Sequence, residues 1–451
     1  MGIIKKLSFL SLAVLLLALP LLVACDDDDE TEGPIETPTT VPTETPVETP
    51  VETPTAPPTE TPIATPTETE TPVEDVKITI GNMSDLTGQA SQAMLIVDMA
   101  LADLVRYFNE ENLIPGAELE IETYDTQWNP ANDIPGYGWL MERGADLFVA
   151  GLSSPPVTLK DRLAEDQTVF LSLTHNEAMV EPPGWVFCLS SPVVTMTLLK
   201  WIAENDWDYE TLGPAKVGAV GWVGPYDEPL HGGLETYANA HPEQFEWVGS
   251  YVNNFGFTWG PEVEAVKDAD YVFLPSTGGG IPTFIREYRD AGGAAKFMAT
   301  DAQPAFLGLI LDAVEWEGID DTLFIFPNRW QTEDYEIPNL CNELLNKYHD
   351  PSEVESIQYG GISYIGSFGM WYGALNVLAE SINTVGPQNW TSADLYDTAS
   401  GFSMTFGGCE EWNWSDTKRT SWNYLGIYEA SAEAQDLVRK DPAWYPVLIE
   451  P

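Results

Sequence analysis

The chain has 451 residues, with 71 Asp or Glu against 19 Lys or Arg, and a formal net charge of −52 at pH 7. So acidic a protein is a poor partner for nucleic acid or for anionic lipid headgroups, because both repel a surface of like charge. The motifs GxSxG, HExxH and GxxxxGK[ST] are absent, no CxxC pair occurs, and the four histidines lie in unrelated contexts. We therefore predict a protein that is not an enzyme and that holds no metal and no cofactor.

The N-terminus reads "MGIIKKLSFLSLAVLLLALPLLVAC", in which two lysines precede an apolar run. This pattern is typical of an export signal, and the run is short for a membrane span. The four residues "LVAC" that end at Cys25 resemble the lipobox of bacterial lipoproteins, in which the cysteine receives a diacylglycerol and becomes the first residue. We expect residues 1–25 to be a lipoprotein signal peptide and Cys25 to anchor the chain outside the cell membrane. The alternative is an ordinary cleaved signal with a chance cysteine.

Residues 26–75 form a low-complexity tract of Thr, Pro and Glu. Its prolines favour extended polyproline II and its acids repel one another, so the tract cannot bury a core. It carries −15 of the formal charge and the first 25 residues carry +2, which leaves −39 on the rest of the chain. We predict a disordered, solvated linker that holds a folded part at a distance from the membrane.

Residues 76–451 exceed the usual size of one core, so two lobes are expected. In chain order, "VKITIGNM" predicts a strand, "ASQAMLIVDMALADLVRYFNEENL" a helix, "ELEIETYDT" a strand, "GYGWLMERG" a helix and "ADLFVAGLSS" a buried strand. The alternation continues as far as "AKFMATDA". Helices that separate nearly continuous apolar strands indicate parallel sheets covered on both faces. In such sheets ligands bind where loops leave the carboxyl ends of the strands.

Three cysteines remain after the anchor, so at least one of them has no intramolecular partner. Cys188 lies in the apolar segment "WVFCLSS" and is predicted to be a buried thiol. Cys341 and Cys409 are our prediction for a disulfide, which an exported protein allows.

Three segments carry a family resemblance: "ITIGNMSDLTGQA", "ENLIPGAELEIETYDTQWNPANDIPGYGWLMERGADLFVAG" and "YGGISYIGSFGMWYGALNVLAESI". In this order they are similar to type I periplasmic binding proteins of the leucine/isoleucine/valine and amide-binding branch. The resemblance covers nearly all of residues 76–451. It implies an α/β fold with two doubly wound parallel-sheet lobes joined by a hinge of three chain crossings. Lobe 1 would comprise residues 76–191 and 328–420, and lobe 2 residues 192–327 and 421–451.

The resemblance also implies where a ligand would bind. Relatives hold an amino-acid carboxylate with loops that match "GLSSPP" and "SLTHNEA", and they hold the ammonium group with lobe 2. The matching residues here are Ser153, Ser154, Thr174, His175, Asn176, Tyr226 and Asp301.

Two features of these loops leave alternatives open. The small polar residues and Asp301 are also what helix N-caps require, and capping need not exclude binding. Pro155 and Pro156 depart from the family pattern, because neither can donate an N–H to a carboxylate. Similarly, "GPYDEPLHGG" places two acids near His231, and we interpret it as a polar surface loop rather than as a metal site.

In function, the resemblance implies the substrate-binding lipoprotein of an ABC importer, which captures an amino acid or related amide and is recognised by permease subunits. One alternative is a receptor that uses the same clamp to report ligand to a signalling partner. Another is a structural surface protein on a stalk, which would have no saturable ligand.

Overall fold

The structure is a computed structural model. It describes residues 75–451 except 89, 192–193, 224–225, 255, 257, 277, 360–363 and 407–408, and describes only the backbone of 359, 406 and 409–411. The predicted signal peptide, Cys25 and residues 26–74 of the predicted linker lie outside the described residues. Across the part that is described, no helix combines the length and the apolar character needed to cross a bilayer.

The first sheet has five parallel strands in the order β2-β1-β3-β4-β5. They are β1 (Val76–Ser84), β2 (Ala117–Asp125), β3 (Ala145–Ala150), β4 (Phe170–Ser172) and β5 (Val186–Cys188). Along β3, Leu147 and Val149 enter one apolar cluster while Phe148 and Ala150 enter another. Because successive side chains of a strand point to opposite faces, both faces of this sheet are covered, as the near-continuous apolar strands predict.

The second sheet has seven strands in the order β14-β13-β10-β9-β8-β6-β7. Strands β6 to β10 run parallel to one another, whereas β13 is antiparallel to β10 and β14 is antiparallel to β13. A separate hairpin, β11–β12, precedes β13. The bounds are β6 (Ala215–Trp222), β7 (Phe245–Asn253), β8 (Tyr271–Phe273), β9 (Lys296–Ala299), β10 (Leu323–Phe326), β11 (Ser403–Phe406), β12 (Cys409–Asn413), β13 (Tyr424–Ser431) and β14 (Asp436–Pro446).

Fourteen α-helices connect and cover the sheets in the described residues. They are α1 (Ser91–Glu110), α2 (Asp133–Met141), α3 (Ser154–Asp166), α4 (Glu177–Val180), α5 (Val194–Asn205), α6 (Tyr209–Leu212), α7 (Asp227–Ala240), α8 (Gly260–Val266), α9 (Gly280–Asp290), α10 (Leu307–Ile319), α11 (Glu336–Tyr348), α12 (Pro351–Tyr359), α13 (Tyr364–Val385) and α14 (Ser392–Ala399). Two 3-10 helices, Pro130–Asn132 and Gln303–Phe306, precede α2 and α10.

Helices α11 to α14 return to the first sheet, where α13 packs along α1. A buried carboxylate joins the elements: Asp103 of α1 accepts a 2.5 Å hydrogen bond from the hydroxyl of Tyr364 and lies 2.6 Å from Nε2 of His349. Since a buried carboxylate is costly without partners, this cluster fixes how α13 sits on α1.

The chain passes between the two sheets three times: from β5 into α5, from β10 into α11, and from β12 into β13. The predicted fold class is therefore confirmed, with two α/β lobes and three crossings. The antiparallel hairpin β13–β14 is an addition to the parallel sheet that the sequence pattern indicated. The residue boundaries of the lobes stay a prediction.

Cys188 is a buried free thiol, as predicted. Cys341 is also a buried free thiol, in α11, so the bridge predicted between Cys341 and Cys409 is not formed in this structure. The side chain of Cys409 lies outside the described residues. The odd cysteine count did not identify a pair, because pairing depends on spatial proximity that cysteine number does not encode.

The third crossing is held against β5 by Arg419, whose side chain is buried. Its guanidinium donates to the carbonyl oxygens of Gly184 and Ser415 and to the hydroxyl of Tyr396. It also lies 4.3 Å from the ring centroid of Phe187. In return, the backbone N–H of Cys188 donates to the carbonyl of Arg419 at 2.7 Å. One side chain thus ties together β5, α14 and the third crossing.

We expect Arg419→Met to lower the free energy of unfolding by about 3 kcal/mol, because it leaves several buried acceptors without donors. Urea unfolding measures the change. Arg286→Met in α9 is the matched control, since Arg286 is exposed and its loss should change the stability by less than about 0.5 kcal/mol. Equal effects of the two substitutions would contradict this account of the third crossing.

Candidate functional site

The carboxyl ends of β3 and β4 are neighbours, since Ala150 pairs with Ser172. The loop after β3 leads through Ser153 into α3, with Pro155 and Pro156 buried in the first turn. Ser153 is half-buried and its side chain makes no cap hydrogen bond. The Ser154 hydroxyl instead donates to Oδ2 of Asp133 at 2.6 Å. Of the two serines, Ser153 is therefore the one whose hydroxyl can donate a hydrogen bond to a ligand.

The loop after β4 contains the next three predicted residues. The hydroxyl of Ser172 donates to the carbonyl of Thr174 at 3.0 Å and holds the turn. Asn176 caps α4, because its Oδ1 accepts from the backbone N–H of Ala178 at 2.8 Å. His175 is half-buried, and its Nδ1 is buried without a hydrogen-bond partner. Burial lowers the pKa of His175 to about 4, so the ring is neutral near pH 7, with one nitrogen as a donor and the other as an acceptor.

On the second sheet, Tyr226 precedes α7 and Asp301 follows β9. The two side chains interact: burial raises the pKa of Tyr226 well above its usual value, and the nearby carboxylates of Asp301 and Asp227 raise it further. The nearby Thr300 side chain lowers the pKa of both residues, against the effect of burial. The structure therefore brings Tyr226 and Asp301 together at one sheet edge.

Asp301 does not cap the helix that follows it, which was the alternative interpretation. The 3-10 helix begins after Ala302 without a side-chain cap, and Oε1 of Gln303 accepts the Thr300 N–H at 2.8 Å. Burial raises the pKa of Asp301 to about 6, against the opposing effects of its own backbone N–H and of the Thr300 side chain. Asp301 makes no ion pair with a Lys or Arg side chain in the described residues, which leaves its carboxyl available to a cationic group of a ligand.

The interpretation of "GPYDEPLHGG" as a polar surface loop is wrong for two of its residues. Asp227 and His231 lie in α7 and are each 4% exposed. Gly221 makes this possible, because a Cβ at that position would come within 2.6 Å of Oδ2 of Asp227. This ten-residue segment contains three glycines and two prolines, a composition typical of a loop, so sequence periodicity missed the inward helix face.

The contacts of these two residues are internal to lobe 2. Asp227 accepts from the Trp222 N–H at 3.0 Å and from the Ser276 hydroxyl, and burial raises its pKa to about 6. Nδ1 of His231 lies 2.7 Å from the Ser250 hydroxyl, and burial lowers the pKa of His231 to about 4. Within the described ranges, no group of three or more His, Cys, Asp or Glu is placed to hold a metal ion.

A small cavity of about 20 Å³ lies between the lobes beside Asp301. It has room for about one water molecule. Lobe 2 contributes Asp301 and Pro304, the second crossing contributes Phe326 to Trp330, and α13 contributes Ile365 and Gly366. Asp301 therefore faces the space between the lobes rather than the outer surface.

Sequence reasoning missed the second crossing as part of this site. Arg329 lines the cavity, its Nη1 lies 3.1 Å from Oε1 of Glu333, and its Nε is buried without a partner. Because "FPNRW" directly follows β10, the rule that ligands bind at carboxyl ends of strands would have selected it. In the described part of the chain, no hydrogen bond joins the lobe 1 residues Ser153 and Thr174 to 176 with Tyr226 or Asp301.

We expect Asp301→Asn to stabilise the ligand-free protein near pH 8 by about 2 kcal/mol. A carboxyl whose pKa is raised in the folded state costs stability as the pH rises from about 4 to about 6, and the cost then stays constant. Melting temperatures should therefore favour the variant near pH 8 and converge with the wild type near pH 4. Asp290→Asn, at an exposed position in α9, should show no such difference, and a variant that is less stable near pH 8 would contradict the burial of charge at Asp301.

Comparisons with known proteins bear on this arrangement. A family model described as periplasmic binding protein matches residues 77–366. A branched-chain amino acid ABC transporter protein from Thermus thermophilus with bound valine has a TM-score of 0.68 at 17% identity, and the alignment covers 82% of this chain and 96% of that one. No curated protein matches the chain.

Two further solved structures show the range of ligands in this fold. A solute binding protein of an ABC transporter from Rhodopseudomonas palustris, in complex with 3,4-dihydroxybenzoic acid, has a TM-score of 0.65 at 12% identity and covers 83% of this chain and 99% of its own. A branched-chain amino acid transporter substrate binding protein from Streptococcus pneumoniae, in complex with isoleucine, has a TM-score of 0.64 at 11% identity, with 82% and 99% covered. At these identities the likeness concerns the fold.

Proposed function

The chain belongs to the periplasmic binding protein family, whose members bind solutes and are not enzymes, and from this premise we propose that it is the solute-binding subunit of an ABC importer. It captures an amino acid or a related small amide between its lobes, outside the cytoplasm. The closed, liganded form is the one that the permease subunits bind. Ligand affinity then depends on how much better the closed state binds than the open state.

The observation that carries this proposal is the pairing of Asp301 with Tyr226 at the carboxyl edge of the second sheet. In the described residues Asp301 makes no ion pair, and it faces the interlobe cavity, where the Arg329 guanidinium is ion-paired with Glu333 instead. A ligand ammonium group would supply the missing charge, and the phenol would add a second hydrogen bond. Lobe 1 offers Ser153, Thr174 and neutral His175 for the polar opposite end of the ligand.

Lobe 1 favours a ligand whose opposite end is weakly charged or neutral. Pro155 and Pro156 remove two backbone N–H donors from the first turn of α3, and the Ser154 hydroxyl already donates a hydrogen bond to Asp133. A full carboxylate needs several donors, whereas an amide or a hydroxyl group needs fewer. We therefore expect amino acid amides and related amines to bind more tightly than free amino acids.

We further propose that Cys25 carries the lipid anchor and that residues 26–75 are the linker between membrane and lobes. This arrangement keeps the binding protein near its permease while its lobes remain in solution. The acidic residues of the linker repel anionic lipid headgroups, which disfavours contact between the linker and the membrane surface.

The ligand class is tested by melting the full-length protein, purified in detergent, with amino acids, amino acid amides, polyamines and aromatic carboxylates. A ligand at about a hundredfold its dissociation constant, bound only by the folded state, adds roughly 2.7 kcal/mol and shifts the melting temperature. The shift should be large for a primary amine and should be lost in Asp301→Asn but kept in Asp290→Asn. It should also weaken as the pH falls through about 6, where Asp301 takes up a proton.

Two outcomes would contradict the proposed function. If no compound in the panel shifts the melting temperature, solute capture of this chemical class is excluded. If an aromatic carboxylate without an amine binds equally well to wild type and Asp301→Asn, the clamp is right and the role of Asp301 is wrong.

The anchor has its own test. Cys25→Ser should abolish incorporation of labelled fatty acid in a bacterial host and release the protein from the membrane fraction. Cys188→Ser is the matched control, because Cys188 is buried in the folded lobe and should have no part in lipidation. Labelled fatty acid that still appears in the Cys25→Ser variant would exclude Cys25 as the lipidated residue.

A further inference from the structure

The interlobe cavity has side chains of opposite charge on its wall. Among the described residues that line it, Asp301 is the acid, Arg329 is the base, and the rest are uncharged. We propose that Arg329 determines the specificity of the clamp by excluding ligands with a second positive charge, so that the site takes amines with one ammonium group and rejects diamines. This inference rests on the proposed function, because it concerns the same cavity and the same ligand amine.

The Arg329 guanidinium is held in place on both sides. Its Nη1 lies 3.1 Å from Oε1 of Glu333, and its central carbon lies 4.1 Å from the ring centroid of Tyr335. A cation over an aromatic face is attracted to the ring. Glu333 is itself fixed, because its Oε2 accepts from the backbone N–H of Trp330 at 2.8 Å and from the hydroxyl of Tyr428. The positive charge therefore stays where it is when a ligand arrives.

Glu333 does not cancel this charge for a ligand in the cavity. Arg329 lines the cavity, whereas Glu333 is not among the described residues that line it. The nearer end of the ion pair is therefore the cation. Phe326, Pro327 and Ile365 beside it are uncharged, and Coulomb interactions are stronger where such walls exclude water. An ammonium group that approaches this part of the wall is repelled.

Arg329 is a poor binding site for a carboxylate, although it carries the right charge. Arginine binds a carboxylate strongly through two parallel N–H donors. Each of the two possible pairs of donors includes Nε or Nη1, and here Nη1 faces Glu333 while Nε is buried. The guanidinium therefore repels cations without offering a fork to an anion, which agrees with the preference for amides over free amino acids.

The opposite lobe offers a second ammonium group no acid either. Ser153, Thr174 and His175 are the residues proposed for the far end of the ligand, and burial lowers the pKa of His175 to about 4, so its ring is uncharged near pH 7. A diamine would lose the hydration of its second ammonium group and gain no carboxylate in return. Unfavourable contacts of this kind create specificity as effectively as favourable ones.

The test is calorimetric titration of the full-length protein, in detergent near pH 8, with 4-amino-1-butanol and putrescine. These probes have the same length and differ only in a hydroxyl against an ammonium group. We expect the wild type to bind 4-amino-1-butanol about tenfold more tightly than putrescine. Arg329→Met should remove most of this preference by strengthening putrescine binding, whereas Arg329→Lys, which keeps the charge, should retain it.

Two further variants complete the test. Glu333→Gln removes the compensating charge but keeps an acceptor for the Trp330 N–H, and it should increase the preference about threefold, even if Arg329→Met does not fold. Arg286→Met, at an exposed position in α9, is the matched control and should leave both affinities unchanged.

The outcomes separate this inference from the proposed function. Equal affinities of the wild type for the two probes would overturn the role of Arg329 and leave solute capture standing. The same role is excluded if the preference survives in Arg329→Met or is lost in Arg329→Lys. If the wild type and all variants bind neither probe, amine capture by the clamp is wrong, and this inference is overturned with it.

Discussion

The two lobes depend on one short segment, the third crossing, and on the cations that fix it. Thr420 of this segment bridges to Cys188 at the edge of the first sheet, and β13 of the second sheet begins four residues later, at Tyr424. Arg419 donates to backbone carbonyls from within the protein, and Nζ of Lys418 donates to the carbonyl of Asn413 at 3.0 Å and to Oδ1 of Asn423 at 2.8 Å. Two of the 19 Lys and Arg residues therefore fix the third crossing, the segment that links the first sheet to the second.

The shortage of cations shapes the interior as well. Buried acids of this protein are paired with hydroxyl groups more than with basic side chains. Asp133 accepts from the hydroxyls of Ser154 and Thr158, Asp227 accepts from Ser276, and Asp103 accepts from Tyr364. A hydroxyl satisfies a carboxylate lone pair without adding charge, so burial still raises the pKa of Asp133 and Asp227. Asp301 differs, because it lines the small cavity between the lobes rather than the interior of one lobe.

Much of the fold could be predicted because a doubly wound sheet is built from repeated strand–helix units, and each unit is visible as a local pattern of apolar residues in the sequence. The apolar strands, the helical spacing of α1 and the loops at strand ends were visible as short segments, whereas Asp301 and Tyr226 were selected through the family resemblance. What failed depended on contacts between distant segments. The inward face of Asp227 and His231 requires the space left by Gly221, and the free state of Cys341 reflects which residues surround α11.

The C-terminal hairpin β13–β14 has a consequence for the timing of synthesis. It pairs with β10, so the second sheet is incomplete until the ribosome has passed residue 446, and the third crossing cannot seat against β5 before residue 420 has emerged. Neither lobe can therefore complete its structure early in translation. Both lobes are instead completed together, once residues 420–446 have been synthesised.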